Sequence, residues 1–342
     1  MLFLHYPPNK NNLGVILINH NRKIPLTLNV YQRLLQRIPI QHPLYSEIES
    51  RISRIRAGYS GETYVDHFLS NIEFPCKFEI LKDVHIKTSP KTKIQLDTLI
   101  ITPKFICILE IKAIKGKISF QQNPAQLIRE VDGIQTPLKC PEEQLKRHER
   151  RLAFWMKTNN INLPIVSFIV LAFSKTHVSL PPKYSKLIMG CDISSYIEDL
   201  FDLPNILSHI KYTQLMDKIR QSQTSFSPTP LSSIIPIDYS QLKKGLICPN
   251  CSFTIDNLYK CPNCKISRKV MITNAIEDWF HLIKDSITTK ECREFLNLND
   301  KTTASHILTR SNLIPKNNGR YRYYKLIDED SGRTINEEIT QN

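Results

Sequence analysis

The chain has 342 residues, of which 41% are hydrophobic, and it contains no apolar run near the roughly 18 residues that a membrane-spanning helix needs. It carries 46 lysines and arginines against 32 aspartates and glutamates, a net charge of +14. This excess favours a polyanionic partner such as nucleic acid, although solubility alone would also explain it. The N-terminus lacks the basic and apolar regions of a signal peptide, so we expect a cytoplasmic protein.

The first part of the chain has helical periodicity. Residues 29–70 carry apolar side chains at helical spacing, for example Ile48, Ile52 and Ile55. A new helix is expected to begin after Gly58, in "YSGETYVDHFLSNI", with Ser60 as its N-cap. Three strand segments are predicted next, namely "KFEILKDVHIK", "IQLDTLIIT" and "FICILEIKAIKGKISF".

A polar stretch follows these strands and leads to a predicted helix that begins at Pro141. The apolar runs "IVSFIVLAF" and "SKLIMGC" predict further strands, and helices are expected near "ISSYIEDLF" and "YTQLMDKIRQ". Strands, a helix and more strands indicate an α/β domain with a mixed sheet.

A Ser/Thr/Pro-rich segment, "QSQTSFSPTPLSSIIP", predicts a linker after this domain. The predicted organisation is an N-terminal helical extension (1–56), an α/β domain (57–220), a linker (221–244), a cysteine module (245–269), a helical and hairpin module (270–327) and a tail (328–342).

Charged residues interrupt two of the apolar strands. If Pro103 and Lys104 are the central residues of the turn in "ITPKFI", Asp97 opposes Glu110, and Lys112 shares their face. Two opposed carboxylates repel, and a divalent ion such as Mg²⁺ or Mn²⁺ removes the repulsion. With a lysine beside them they suit metal-assisted hydrolysis of a phosphodiester. The alternative is a salt-bridge cluster at a strand edge that faces water.

Four motifs in this order resemble the nuclease-related domain (NERD) family, which is placed in the PD-(D/E)xK nuclease superfamily. The motifs are Gly61-Glu62, Leu96-Asp97, Glu110-Ile111-Lys112 and Pro141-Glu142-Glu143-Gln144. The resemblance covers roughly residues 57 to 175. It implies a nuclease-like mixed sheet flanked by helices. Asp97 and Glu110 would then be ligands of Mg²⁺ or Mn²⁺, the Ile111 carbonyl a third ligand, and Lys112 the group that positions the attacking water.

The same resemblance implies roles for side chains on two helices. Glu62 would complete or organise the acidic cluster, and Gln144 would reach the same centre from the later helix. Arg147, His148 and Arg151 share the face of Gln144 and could hold a DNA backbone, unless this is simply a solvated charged face. For His148, a surface position is expected rather than a role as general base.

The spacing Cys248-x2-Cys251-x9-Cys261-x2-Cys264 predicts a structural Cys₄ zinc ribbon. Four protein ligands close the site, and in so short a module metal binding would supply much of the folding free energy. The alternative, a redox-active dithiol pair, lacks a thioredoxin-like context.

The last module has the pattern of a winged helix-turn-helix, with three short helices and a hairpin whose turn is expected at Asn318-Gly319. Residues 260–325 contain 13 Lys/Arg and 6 Asp/Glu, a net charge of +7. DNA-contacting residues are expected on the third helix and on the wing, and they are Lys301, Thr302, Thr303, Ser305, His306, Arg310, Arg320 and Arg322. The alternative is a packing or protein-interaction module.

Together these features predict an α/β, PD-(D/E)xK nuclease-like fold with a Cys₄ zinc ribbon and a small winged-helix-like domain. The predicted function is a Mg²⁺-dependent endonuclease that acts on DNA. A non-catalytic DNA-binding or signalling adaptor that retains the nuclease fold is the alternative. These residues do not distinguish DNA from RNA as the partner. No membrane association is expected.

Overall fold

The computed structural model describes residues 22–224, 229–255, 259–319 and 321–327. The chain forms two compact units. The first unit is Met1–Lys23 with Ser60–Gln223, and the second unit is Ile24–Tyr59 with Thr224–Asn342. Among the described residues, no helix is both long and apolar enough to cross a bilayer.

The helices are α1 (Leu26–Arg37), α2 (Tyr45–Leu69), α3 (Pro141–Thr158), α4 (Ile193–Glu198), α5 (His209–Ser222), α6 (Arg268–Asp278), α7 (Thr289–Phe295) and α8 (Lys301–Arg310). The strands are β1 (Glu79–Ser89), β2 (Thr92–Ile101), β3 (Ile106–Lys112), β4 (Gly116–Gln122), β5 (Ala125–Val131), β6 (Ile134–Lys139), β7 (Ile165–Leu171), β8 (Thr176–Leu180), β9 (Lys186–Met189), β10 (Leu246–Ile247), β11 (Thr254–Ile255), β12 (Ile287–Thr288), β13 (Leu313–Asn318) and β14 (Tyr321–Leu326).

The main sheet of the first unit is mixed and has the strand order β1-β2-β3-β7-β9. Strands β1, β2 and β3 are antiparallel neighbours, whereas β7 and β9 run parallel to β3. Ile101 pairs with Ile106 and Thr98 with Leu109, so Pro103 is one of the two central residues of the turn. The predicted register of this hairpin and the predicted mixed α/β fold are therefore confirmed.

Each face of the main sheet packs against a different helix. Leu99 and Ile108 belong to a buried cluster with Leu145 of α3. Ile100 and Leu109, the next residues along their strands, belong to a cluster that also contains Val65 and Leu69 of α2. Because side chains alternate along a strand, Asp97 and Glu110 belong to the α3 face and Thr98 to the α2 face.

A second sheet has the order β6-β5-β4-β8. Most of β4 is predicted from sequence, since the predicted strand segment extends to Phe120, whereas β5 and β6 lie in the polar stretch before Pro141 and β8 is not predicted. Every residue of β6 is exposed or half-exposed, so this strand has no apolar run to reveal it. Glu142 of α3 binds the loop between β8 and β9, because its carboxylate accepts hydrogen bonds from the backbone N–H groups of Tyr184 and Ser185 at 2.6 and 2.8 Å.

The second unit combines α1 and the beginning of α2 with the described C-terminal residues. Leu231, Ile235 and Leu242, which come from the predicted linker, are buried in one cluster with Leu34 of α1. Strand β10 pairs with β11 in the cysteine module. Helix α6 ends in a π-helical turn over Trp279–Ile283.

The last module has the helices and the hairpin that the sequence predicts. Strand β12 adds to the hairpin in the order β12-β14-β13, and α6, α7 and α8 complete a winged-helix-like arrangement. The turn differs by one residue from the expectation, because Asn318 is paired with Tyr321. Asn318 is therefore the last residue of β13 and Gly319 follows it, with φ +58° in the left-handed conformation that such a turn requires.

Candidate active site

Asp97 lies where β2 begins to separate from β3. Its Oδ2 accepts a hydrogen bond of 2.8 Å from the backbone N–H of Ile111, which fixes the carboxylate against the next strand. Burial, together with the charge of Glu110, raises the pKa of Asp97 to about 6, although Lys112 opposes the shift. The carboxylate is therefore ionised at neutral pH and becomes protonated in mild acid.

Glu110 is 1% exposed and lies between two basic side chains. Its Oε1 accepts a hydrogen bond from Nζ of Lys112, and its Oε2 lies 3.4 Å from Nδ1 of His148. Burial raises the pKa of Glu110, but His148 and Lys112 outweigh it and lower the pKa overall. Burial lowers the pKa of Lys112, but Glu110 and Asp97 outweigh it and raise the pKa. The pair is charged at neutral pH.

The contact between Glu110 and His148 is not a well-formed hydrogen bond. Among the described residues, neither Oε2 of Glu110 nor Nδ1 of His148 has a hydrogen-bond partner, and both atoms are buried. A buried carboxylate oxygen without a partner is costly. The prediction that His148 lies on the surface is wrong, since the residue is 9% exposed and its ring is turned to Glu110.

Gly61 allows α2 to approach the ends of β3 and β7. A Cβ atom at Gly61 would lie 2.6 Å from Cβ of Ala113 and 3.0 Å from Cβ of Ala172. This close packing brings Glu62 near enough to Asp97 for their charges to interact. Burial and the charge of Asp97 raise the pKa of Glu62 to about 7, although Arg22 opposes the shift.

Glu62 belongs to a charged network on the α2 face of the sheet. Arg22 donates hydrogen bonds to Glu62 Oε2 at 2.8 Å, to both carboxylate oxygens of Asp66 at 3.0 and 3.2 Å, and to Thr98 Oγ1 at 2.8 Å. Lys82 Nζ lies 3.4 Å from Asp66 Oδ2. The sequence analysis does not identify Arg22, Asp66, Lys82 or Thr98. For Asp66 a signal exists, because it follows Glu62 by one helical turn.

Helix α3 contributes the predicted Gln144, one turn before His148. Gln144 is half-exposed, and among the described residues its side chain has no hydrogen bond to Asp97, Glu110 or Lys112. Arg147 and Arg151 are exposed on the same helix. A signal for His148 is also present in the sequence, because it lies three residues after buried Leu145 on the apolar face of α3.

The residues around Asp97 and Glu110 suit a hard divalent ion chemically, because both are carboxylates and one buried oxygen lacks a partner. They do not form a compact set of three ligand atoms. Within the described ranges, only the four cysteines do so. The oxygen site is therefore a pair of carboxylates to which other ligands, such as water or a phosphate, would be added.

The ligand atoms of Cys248, Cys251, Cys261 and Cys264 all lie within 4.8 Å of one another. Both loops have the same shape, since the residue after each second cysteine has φ +60° and donates its N–H to the carbonyl of the first cysteine. The backbone N–H of Phe253 is the main cause that lowers the pKa of Cys251 to about 7. This arrangement of free thiols is suited to hold a metal ion.

The expected DNA-contacting residues of the last module are partly in place. Lys301, His306 and Arg310 are exposed on α8, and Arg322 is exposed on β14. Thr303 is also exposed, but its hydroxyl donates to Oδ2 of Asp300, the N-cap residue of α8, at 2.7 Å. Arg320 lies outside the described residues.

Comparison with known proteins identifies one family. The family model described as nuclease-related domain, NERD, matches residues 57–172, which confirms the resemblance over about a third of the chain. Neither the curated proteins nor the solved structures include a significant match to this chain. The matched range contains Glu62, Asp97, Glu110 and Lys112, but it does not include Arg22 or the cysteine cluster.

Proposed function

We propose that the protein is a metal-dependent nuclease that hydrolyses phosphodiester bonds of DNA. The observation that carries the proposal is the pair of carboxylates on opposed strands, Asp97 and Glu110, with the ammonium group of Lys112 bonded to the second. The pair lies inside the range that matches the nuclease-related domain. A binding scaffold has no evident need for a buried Glu110 beside the half-buried charges of Asp97 and Lys112, since removing charges from water is costly.

Asp97 and Glu110 would hold one Mg²⁺ or Mn²⁺ ion, because these ions prefer carboxylate oxygens. When bound, such an ion lowers the pKa of a water molecule and offsets charge on a phosphate. The N–H of Ile111 keeps the Asp97 carboxylate in place. Lys112 would hold the attacking water and balance charge that develops on the phosphate oxygens. Gln144 and Glu62 would support this centre from their helices.

DNA would be held by side chains away from the carboxylates. On α3 these are Arg147 and Arg151, and in the last module they are Lys301, Thr303, His306, Arg310, Arg320 and Arg322. The cysteine cluster would hold Zn²⁺ in a structural role, because thiolates suit zinc and four protein ligands leave no open position.

The proposal is tested with purified protein, supercoiled plasmid and either Mg²⁺ or Mn²⁺. We expect nicking that Asp97→Ala and Lys112→Ala each reduce by at least about 100-fold, since each removes charge at the centre of the reaction. Lys91→Ala, which removes an exposed lysine from the turn between β1 and β2, is the matched control. Equal cleavage by all variants would contradict the assignment of the site.

The same preparations distinguish the alternative functions. A salt-dependent gel shift without cleavage under any divalent ion would favour a DNA-binding adaptor. Parallel assays on single-stranded, duplex and branched DNA and on RNA would identify the substrate, and cleavage of RNA alone would contradict the DNA assignment.

A further inference from the structure

Arg22 is almost fully buried next to the carboxylates, although it precedes the range matched by the family model. We propose that Arg22 takes the place of a second metal ion in this site, so that the protein binds one divalent ion at Asp97 and Glu110. Glu62 is then an ion-pair partner of Arg22 rather than a metal ligand. This inference rests on the proposed function.

The contacts of Arg22 resemble those of a cation that bridges several oxygen ligands. Its guanidinium group is within 3.2 Å of four oxygens, which belong to Glu62, Asp66 and Thr98. Both oxygens of Asp66 are engaged, in the planar fork geometry that favours arginine over lysine at such positions. Thr98 follows Asp97 on β2. Arg22 therefore binds the residue next to a proposed metal ligand.

The charges on the α2 face are balanced by the protein itself. Glu62 and Asp66 are matched by Arg22 and Lys82, all within 3.4 Å of an opposite charge. Asp83, further along β1, has His85 as its partner at 3.5 Å. Since these carboxylates are already paired, an added divalent ion would have to displace a buried arginine to use them.

The α3 face is different, because its two carboxylates have fewer positive charges beside them than the carboxylates of the α2 face have. Asp97 and Glu110 share one full counter-charge, that of Lys112, and the neighbouring His148 is not well aligned for a hydrogen bond. One divalent ion supplies the missing charge there. A second divalent ion would make the centre strongly positive, because Arg22, Lys82 and Lys112 are already present.

The test counts bound Mn²⁺ by electron paramagnetic resonance on the full chain with its cysteines loaded with zinc, without DNA and without cleavage. We expect one Mn²⁺ per chain, which Asp97→Ala removes. Arg22→Met keeps the length of the side chain but removes its charge, so Glu62 and Asp66 become available. We expect this variant to bind two Mn²⁺ ions per chain. The double variant, which carries both Arg22→Met and Glu62→Gln, should bind only one.

Lys82→Met is the matched control, since Lys82 also pairs with Asp66 but is not within ion-pair distance of Glu62, and it should still bind one Mn²⁺. If Arg22→Met does not fold, the single variant Glu62→Gln still shows whether Glu62 is a metal ligand. Its affinity for Mn²⁺ should fall by less than about tenfold, the smallest loss typical for a group that supports a metal ligand.

Two bound ions in the unchanged protein would overturn the inference. So would a single ion in folded Arg22→Met, or loss of Mn²⁺ binding in Glu62→Gln. The number of bound ions and the presence of cleavage test the two proposals separately. One bound ion without any cleavage would contradict the nuclease proposal alone, whereas cleavage with two bound ions would contradict only the role of Arg22.

Discussion

The two candidate metal sites of this protein are prepared for an ion in opposite ways. In the first unit, each carboxylate already has a partner from the protein, such as the N–H of Ile111 for Asp97 and Lys112 for Glu110. In the second unit, the sulfur atoms of the cysteines face one another, and Cys251 Sγ lies 3.5 Å from Cys261 Sγ. The first site is held by hydrogen bonds and an ion pair within the protein, whereas we expect the second to be held by a bound ion.

The surroundings of the two sites strengthen this contrast. Cys248 and Cys261 are fully buried in the cluster that also contains Met271, Trp279 and Phe295, so these two cysteines are part of the core of the last module. We infer that an ion in the cysteine cluster acts on folding and an ion at the carboxylates acts on chemistry. The predictions below test this division, beginning with the largest expected effect.

Cys261→Ser should destabilise the last module most, because structural zinc sites contribute about 10–16 kcal/mol of binding free energy that is coupled to folding. We expect loss of bound zinc, and loss of amide hydrogen-exchange protection in α6, α7 and α8. Strands β2 and β3 of the first unit should remain protected. Cys191→Ser, at an exposed cysteine, is the control. Equal protection of α8 in both variants would contradict a structural role for the cluster.

His148→Ala should reduce Mn²⁺ affinity and the cleavage rate by about 10–100-fold, the range typical for groups that support a metal ligand. The physical reason is that Glu110 Oε2 loses its nearest basic neighbour, 3.4 Å away. Titration with Mn²⁺ and single-turnover cleavage measure the two effects. His177→Ala, at an exposed histidine of β8, is the control. Unchanged Mn²⁺ affinity would exclude the role.

The stability of the metal-free protein should fall as pH rises from 5 to 8. Glu62 and Asp97 have pKa values of about 7 and about 6 in the folded state, above their ordinary values. The folded state therefore binds protons more tightly than the unfolded state, and this stabilisation is lost as pH rises through these values. Mn²⁺ should consequently stabilise the protein more at pH 8 than at pH 5, where protons compete for Asp97.

Thermal denaturation with and without Mn²⁺ measures this effect, and each kcal/mol corresponds to about 2–4 °C for a domain of this size. Glu62→Gln should flatten part of the pH dependence, because the amide does not titrate. An equal Mn²⁺ effect at both pH values would argue against metal binding at these carboxylates.

Arg310→Ala should have the smallest effect, a reduction of DNA affinity that is uniform across sequences. Loss of one phosphate contact should lower the slope of log affinity against log salt by about 1. Fluorescence anisotropy at several salt concentrations measures it. Arg293→Ala, at an exposed arginine of α7, controls for net charge. If both variants change the slope equally, α8 has no special role in binding DNA.

The hairpin that carries the candidate site could be predicted because its signals are local. Pro103 and Lys104 define a turn between two long apolar runs. Only one pairing register of these runs buries their apolar side chains. The same is true of the cysteines, whose spacing alone predicts the cluster. Strands β5, β6 and β8 of the second sheet could not be predicted, because they expose many of their side chains and so have little periodicity.

Arg22 could not be predicted either, since it contacts side chains 40 to 76 residues away. An isolated arginine before a helix has no pattern that distinguishes it from a surface residue. A buried position for His148 could be predicted, because the buried positions Leu145 and Leu152 place it on the inner face of α3. The many charged residues around it favour a surface position instead.

The absence of a side chain at Gly61 sets the distance between a helix and two strands. The space that an alanine methyl group would need is already filled by Ala113 and Ala172. Gly61→Ala would thus push the part of α2 that carries Glu62 away from the sheet, although it would change no ionisable group. A lesion of this kind would mimic the loss of a charged residue, and it shows that spacing between elements can be as necessary to a reaction as the groups that perform it.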